Sequence, residues 1–170
     1  MKFLKRFIII SLVFLFNPSF AQSEGQIVYL DLDNIVSNTK AGKSIITNLE
    51  KSKKKALSKF EKKEKELKKI ESEINKQKNI ISEEELKKKL IEFRKEISLF
   101  QKERQKVIND FNKKKVEEFN NFFKKITPII QNYVSDKNIE MVLDRKNVFV
   151  ASKKKDITSE IIKLIDSKIK

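Results

Sequence analysis

Asn75-Lys-Gln-Lys-Asn-Ile-Ile-Ser-Glu-Glu-Glu85 is the stretch on which the fold turns, because two long helical patterns meet there. Before it, Ile46, Phe60, Leu67, Ile74 and Ile81 recur at multiples of seven, with Leu49, Ala56 and Ile70 on the alternate seam position. After it, Leu86, Phe93, Phe100 and Val107 keep one heptad position, and Leu90, Ile97 and Phe111 keep the other. Such spacing puts every named residue on one face of a helix that packs along its length against another. Ser82-Glu-Glu-Glu85 carries the signature of a capping box, so a new helix starts there. A short connection between two seams predicts an antiparallel hairpin with its tip near residues 75–84. Arms of some 35 to 50 residues reach roughly 50 to 75 Å.

The seams are imperfect. Lys53, Lys63 and Gln77 interrupt the first, and the second passes through Lys115 to Phe119, Phe122, Ile126, Ile129 and Tyr133. Successive steps of four residues around Lys115 form a stutter, which locally relaxes a supercoil. Pro128 predicts a kink near the base of the second helix.

Outside the hairpin the periodicity changes. Gln26-Ile-Val-Tyr-Leu-Asp-Leu32 is apolar and β-branched and predicts a buried strand. Asp33 or Asn34 is positioned to cap a short helical turn through Val36, and Gly42 sits where the long helix begins, at a small cost to it. Ile139–Leu143 and Asn147–Ala151, separated by Asp144-Arg-Lys146, predict a β-hairpin. Asp156 or Thr158 then caps a last helix ending near Lys170. The fold class is therefore α+β. A small body is split between residues 22–47 and 135–170, and the helical hairpin, 48–134, is inserted as an excursion. A body of that size has a marginal core, for which self-association is a usual remedy.

The first 21 residues read as a cleavable export signal. Lys2, Lys5 and Arg6 precede an apolar run from Phe7 to Phe16, and Ser19-Phe-Ala21 offers small residues before a cut after Ala21. The destination is the space outside the inner membrane. The whole chain carries +15, with 39 Lys or Arg against 24 Asp or Glu, and no Cys or His. Residues 50–125 hold 25 of those bases and 15 of those acids, so the hairpin is the cationic part. A one-signed arm draws acidic partners from about a Debye length away. Lysine triplets at 53–55, 87–89, 113–115 and 153–155 suit phosphate contacts, yet no nucleic-acid motif accompanies them, so specific nucleic-acid binding is not expected. Without Cys, His or a glycine-rich phosphate loop, the commonest routes to nucleophilic, zinc and nucleotide chemistry are missing; no enzyme activity, cofactor or metal is expected. Of the Phe residues, Phe60, Phe93 and Phe100 fit the seam. Phe111 does too, whereas Phe119, Phe122 and Phe123 are hard to place together on one narrow seam; the expectation is that some of Phe111, Phe119, Phe122 and Phe123 face a cavity near the hairpin base and offer adaptable apolar contact there.

Gln26–Val36, Asn138–Asp144, Val148-Phe-Val150 and Lys155-Asp-Ile-Thr158 resemble, in order and spacing, the Skp/OmpH family of periplasmic chaperones, with the basic hairpin in the expected middle. The resemblance implies a homotrimer in which Val28, Leu30, Leu32, Ile139, Val142, Val148 and Val150 build the joint body. It implies ATP-independent holding of unfolded outer-membrane β-barrel proteins in the periplasm, within a cavity between arms. It further implies lipopolysaccharide or anionic-membrane contact through Arg104 and Lys106, although Glu96 and Val107 stand where the family has bases. The readings that compete are a structural periplasmic coiled-coil adaptor and a cationic envelope- or nucleic-acid-binding protein.

Overall fold

A computed structural model describes residues 26–169, and the expected export signal lies outside them. The chain runs β1 (Gln26–Leu30), α1 (Leu32–Asn38), α2 (Lys40–Gln77), α3 (Glu83–Asp136), β2 (Ile139–Asp144), two single 3-10 turns and α4 (Thr158–Lys168). The architecture is α+β, with a long antiparallel helical hairpin, α2 and α3, rising from a small strand-containing body.

The local signals act where polar side chains meet free backbone N–H groups. The Asp31 carboxylate, not Asp33 or Asn34, accepts from Asn34 N and starts α1, so Leu32 is helical and the strand ends at Leu30. Thr39 closes α1 through its N–H to Ile35 O and opens α2 by accepting from Gly42 N. Its side chain is fully buried, so one residue serves both helix ends. Gly42 is there for space: a Cβ would run into the Val36 carbonyl and the Thr39 hydroxyl. Ser82 caps α3 by accepting from Glu85 N at 3.2 Å. α2 has already ended at Gln77, so Ile81 belongs to the turn and not to the seam. Pro128 lies inside an uninterrupted α3, beside Thr127, whose hydroxyl donates to Phe123 O. At the far end Asn138 takes a left-handed φ of 50°, a conformation Asn tolerates better than most residues.

The sheet departs from expectation. β2 pairs with β1 in parallel, Val28 facing Val142 and Leu30 facing Asp144. No β-hairpin forms between 139–143 and 147–151. Asp144 accepts from Lys146 N and closes a 3-10 turn over Arg145–Asn147. Arg145 then lies 4.0 Å from Asp31 and 3.9 Å from Asp156, and Lys146 lies 2.8 Å from Asp33, which turns the chain away from β2. The other edge of β1 is taken by Asp156–Ile157, with Ile157 N donating to Tyr29 O. Val148 to Val150 therefore pair with nothing within the chain's sheet.

Two separate cores result. The body core gathers Val28, Leu30, Ile35, Phe122, Ile126, Ile129, Ile157, Ile161 and Ile165. The hairpin core consists of Phe60, Leu67 and Phe100, flanked by Ala56, Phe93, Ile97 and Val107. Helix lengths explain the split: α3 has 54 residues and α2 has 38, so the base of α3 runs on below the start of α2 into the body. Thr158 ties the termini together. Its hydroxyl accepts from Asp31 N and donates to Asp156, whose carboxylate also takes the Thr158 N–H; the N-cap of α4 is Ile157, without a side-chain cap, in place of the expected Asp156 or Thr158.

Candidate functional site

The flaws in the seam decide where the hairpin opens. Gln77 is met by Lys89 from the opposite helix, at 2.7 Å. Lys63 is met by Glu96 at 3.3 Å and by Glu66 at 3.5 Å. The hydrogen bond that Lys63 donates to Glu96 leads the effects that hold its ammonium above its usual value, opposed by loss of hydration. Lys59 and Glu103 add a third cross-helix rung, and that bond holds Glu103 below the usual carboxylate value. Each such exposed pair is weak alone, but together they fix the register of two helices running in opposite directions.

Lys53 has no such partner. It lies on α2, and Lys115, the stutter residue, lies on α3; neither forms an ion pair among the described residues. Both line an open trough of about 410 Å³ between the two helices, with Glu50 as the acidic group on its wall. The rest of its lining is apolar and includes Leu49, Leu57, Phe60, Ile108, Phe111 and Phe119. The trough falls between the two cores. Each of these seam lysines stays exposed, because an unpaired ammonium is costly to desolvate, and the helices close on either side of the pair but not there.

Of the four aromatic residues singled out from the sequence, Phe111 and Phe119 line this trough. Phe122 is 3% exposed in the body core, and Phe123 packs beside it with ring centroids 5.6 Å apart. Phe122 is thus structural: it lies beside the first turns of α2, at Lys40, Ala41 and Ile45, where the hairpin meets the body. Leu57 and Ile108 went unnoticed in the seam pattern. Each lies one residue beyond a seam residue, Ala56 or Val107, and that doubled apolar width beside a seam lysine is the signal that marks them.

Arg104 occupies a seam position on α3 and turns inward. Its guanidinium sits 5.5 Å from the Phe60 ring centroid and 5.7 Å from that of Phe100, and pairs with Glu64 at 3.3 Å. It helps hold the hairpin closed. Lys106 is exposed.

The body residues expected to meet other copies divide into two sets. Val28 and Leu30 are buried in the chain's own core, with Leu32, Ile139 and Val142 packed against it. The opposite sheet face is open instead, with Ile27, Met141 and Leu143 partly exposed; in the segment that follows the sheet, Phe149 and Val150 are 102% and 81% exposed. Val148 is half-buried. Among the described residues there is no cluster of metal-ligating side chains, and no helix is long and apolar enough to cross a membrane.

Comparison with solved structures finds a protein from Caulobacter crescentus described as a candidate outer membrane chaperone (OmpH-like). The two share a TM-score of 0.78 at 15% identity, over 85% of this chain and 86% of the other, which is a likeness of fold. No curated protein matches the sequence. The family described as Outer membrane protein (OmpH-like) matches across residues 26–165, which takes in the strands, both arms of the hairpin and most of α4, and the chain belongs to that family.

Proposed function

We propose that this protein is an ATP-independent periplasmic holding chaperone for unfolded outer-membrane β-barrel proteins. The single observation that carries the proposal is apolar surface set into a cationic arm: the trough, together with Ile91, Leu99 and Val116, each more than half exposed on α3. A soluble helix that keeps such residues open, amid an excess of lysine, is suited to partners that are both apolar and acidic. Individually the contacts are small. Many weak contacts give avidity while letting the client leave as it folds elsewhere, which is what holding without nucleotide requires. Phe111 and Phe119 are the aromatic residues offered to client side chains.

Self-association belongs to the same reading. The open sheet face with Phe149 and Val150 is the surface on which copies of the chain would meet, forming a homotrimer whose arms surround a cavity. A body core this small favours such burial. A lipopolysaccharide site centred on Arg104 would have to break the Glu64 pair and both ring contacts, which leaves Lys106 as its accessible base.

Diluting a urea-denatured outer-membrane barrel protein into buffer tests the proposal. Stoichiometric amounts of this protein, without ATP, are expected to suppress light scattering. Scattering that stays unchanged across the titration rules the holding role out.

A further inference from the structure

Beside its seam, α3 carries a second regular stripe. Gln105, Asn109, Asn112, Val116, Asn120 and Phe123 follow one another at steps of four, three, four, four and three, the period of a straight helix. Ser98 and Gln101 prolong the stripe toward the tip and Thr127 toward the body, about 44 Å in all. Phe123 is half-buried and the rest are exposed. None is charged, although 37% of the chain is. Solvation alone does not account for this, because elsewhere the hairpin meets water mainly with lysine and glutamate. Five of the nine are carboxamides, each both a donor and an acceptor.

Two different lanes flank the stripe. Most of its members stand one residue after a seam position, so it lies about 100° round the helix from the seam. Between the two are Ile108 and Phe119, which line the trough. A hollow of about 280 Å³ among Gln101, Arg104, Gln105 and Ile108 joins stripe and seam. One residue further round come the exposed Lys102, Lys106, Lys113 and Lys124, against Asp110 and Glu117. An extended chain carries its peptide groups along the middle and sends successive side chains to opposite sides. We propose that the carboxamide stripe holds the main chain of an extended client segment, with apolar side chains turned to the trough and acidic ones to the lysines. The inference rests on the holding role and adds what is recognised: peptide groups, in a segment whose side chains alternate. Strands of a membrane barrel alternate apolar and polar residues in that way. A helix from a second copy suits the stripe poorly, since its peptide groups are already paired and it would bury the carboxamides without partners. Gln105 Nε2 donates to Asn109 Oδ1 at 3.0 Å, which leaves the Gln105 carbonyl oxygen and the Asn109 amino group for a ligand.

Fluorescence anisotropy with three labelled valine–glutamate peptides of equal length and charge tests this. One alternates the two residues, one is the same sequence methylated on alternate backbone nitrogens, and one joins a valine block to a glutamate block. The alternating peptide is expected to bind about tenfold tighter than either of the others, the worth of about one to three net hydrogen bonds. Alanine at four stripe positions (Q105A/N109A/N112A/N120A) keeps the charge and favours the helix. That variant should bind the alternating peptide only as well as the methylated one, whose own affinity stays unchanged. Methylated or block peptides that bind as tightly as the alternating one, a variant that binds all three as before, or no peptide binding at all overturns the inference. A lower mass of the variant in analytical ultracentrifugation also overturns it, by assigning the stripe to a second copy. In each of these cases, suppressed aggregation of the barrel protein by the unaltered protein leaves the holding role standing, and unchanged scattering removes that role as well.

Discussion

Gly42 and Thr158 show how much a single position can carry. In an ordinary helix interior, replacing Gly by Ala stabilises by about 0.5–1 kcal/mol. At Gly42 the added methyl would meet the Val36 carbonyl, which is main chain and cannot swing aside. Gly42→Ala is therefore expected to destabilise by about 1–3 kcal/mol, the usual cost of overpacking, read from the urea midpoint at unchanged slope. An increase in stability would show that α1 and α2 can move apart freely. Thr158→Val preserves shape but leaves Asp31 N without its acceptor, at a cost of about 1–3 kcal/mol. The strand-to-helix corner at residues 29–34 should then exchange its amides faster than the hairpin does.

The hairpin is an element held by mixed means, and its polar rungs give it a pH signature. Glu103 has a folded pKa below the usual 4.5, so its contribution is fully present above that value and is lost as pH falls through the lower, folded one. Lys63 is the opposite case: raised above 10.5, it contributes fully below that value and loses its contribution as pH rises through the higher one. The helical signal of the arms should therefore be most heat-resistant between these limits. The advantage should shrink in high salt, because the pairs are exposed. A melting temperature flat from pH 7 to pH 3 would mean that apolar packing alone holds the arms. Arg104 acts within the same element. Arg104→Ala removes one ion pair and two ring contacts, a loss of about 0.5–1 kcal/mol at an exposed site. Amides near residues 97–107 should exchange about two- to fivefold faster, while those of the body stay unchanged.

At the scale of the molecule, the body carries the question of assembly. Phe149 and Val150 project fully from a segment that pairs with no strand of its own chain. If copies meet there, Phe149→Asp should yield a monomer in analytical ultracentrifugation, with the helical content of the arms retained. An oligomer of unchanged mass would place the contact elsewhere. The monomeric variant should also lose most of its ability to hold an unfolded barrel protein, because avidity depends on several arms acting on one client.

Periodicity alone specified the two arms, their antiparallel turn at Ser82 and the cationic character of the hairpin. Local patterns have that power because a seam residue must face its partner wherever the helix goes, and because charge is additive along a chain. The first strand was legible as well, being short, apolar and β-branched, but it ends at Leu30 and not at Leu32, because Asp31 caps α1. What the sequence could not decide was every matter of which surface meets which. The parallel pairing of β1 with β2 arises between segments more than a hundred residues apart, through Arg145 and Lys146 reaching aspartates near the helix starts. The burial of Phe122 follows from the packing of α3 on the first turns of α2 and on the body, and the trough gains Lys53 on one wall and Lys115 on the other only once the helices are in register. Contacts of that kind depend on distances between elements, and no local run of residues contains them.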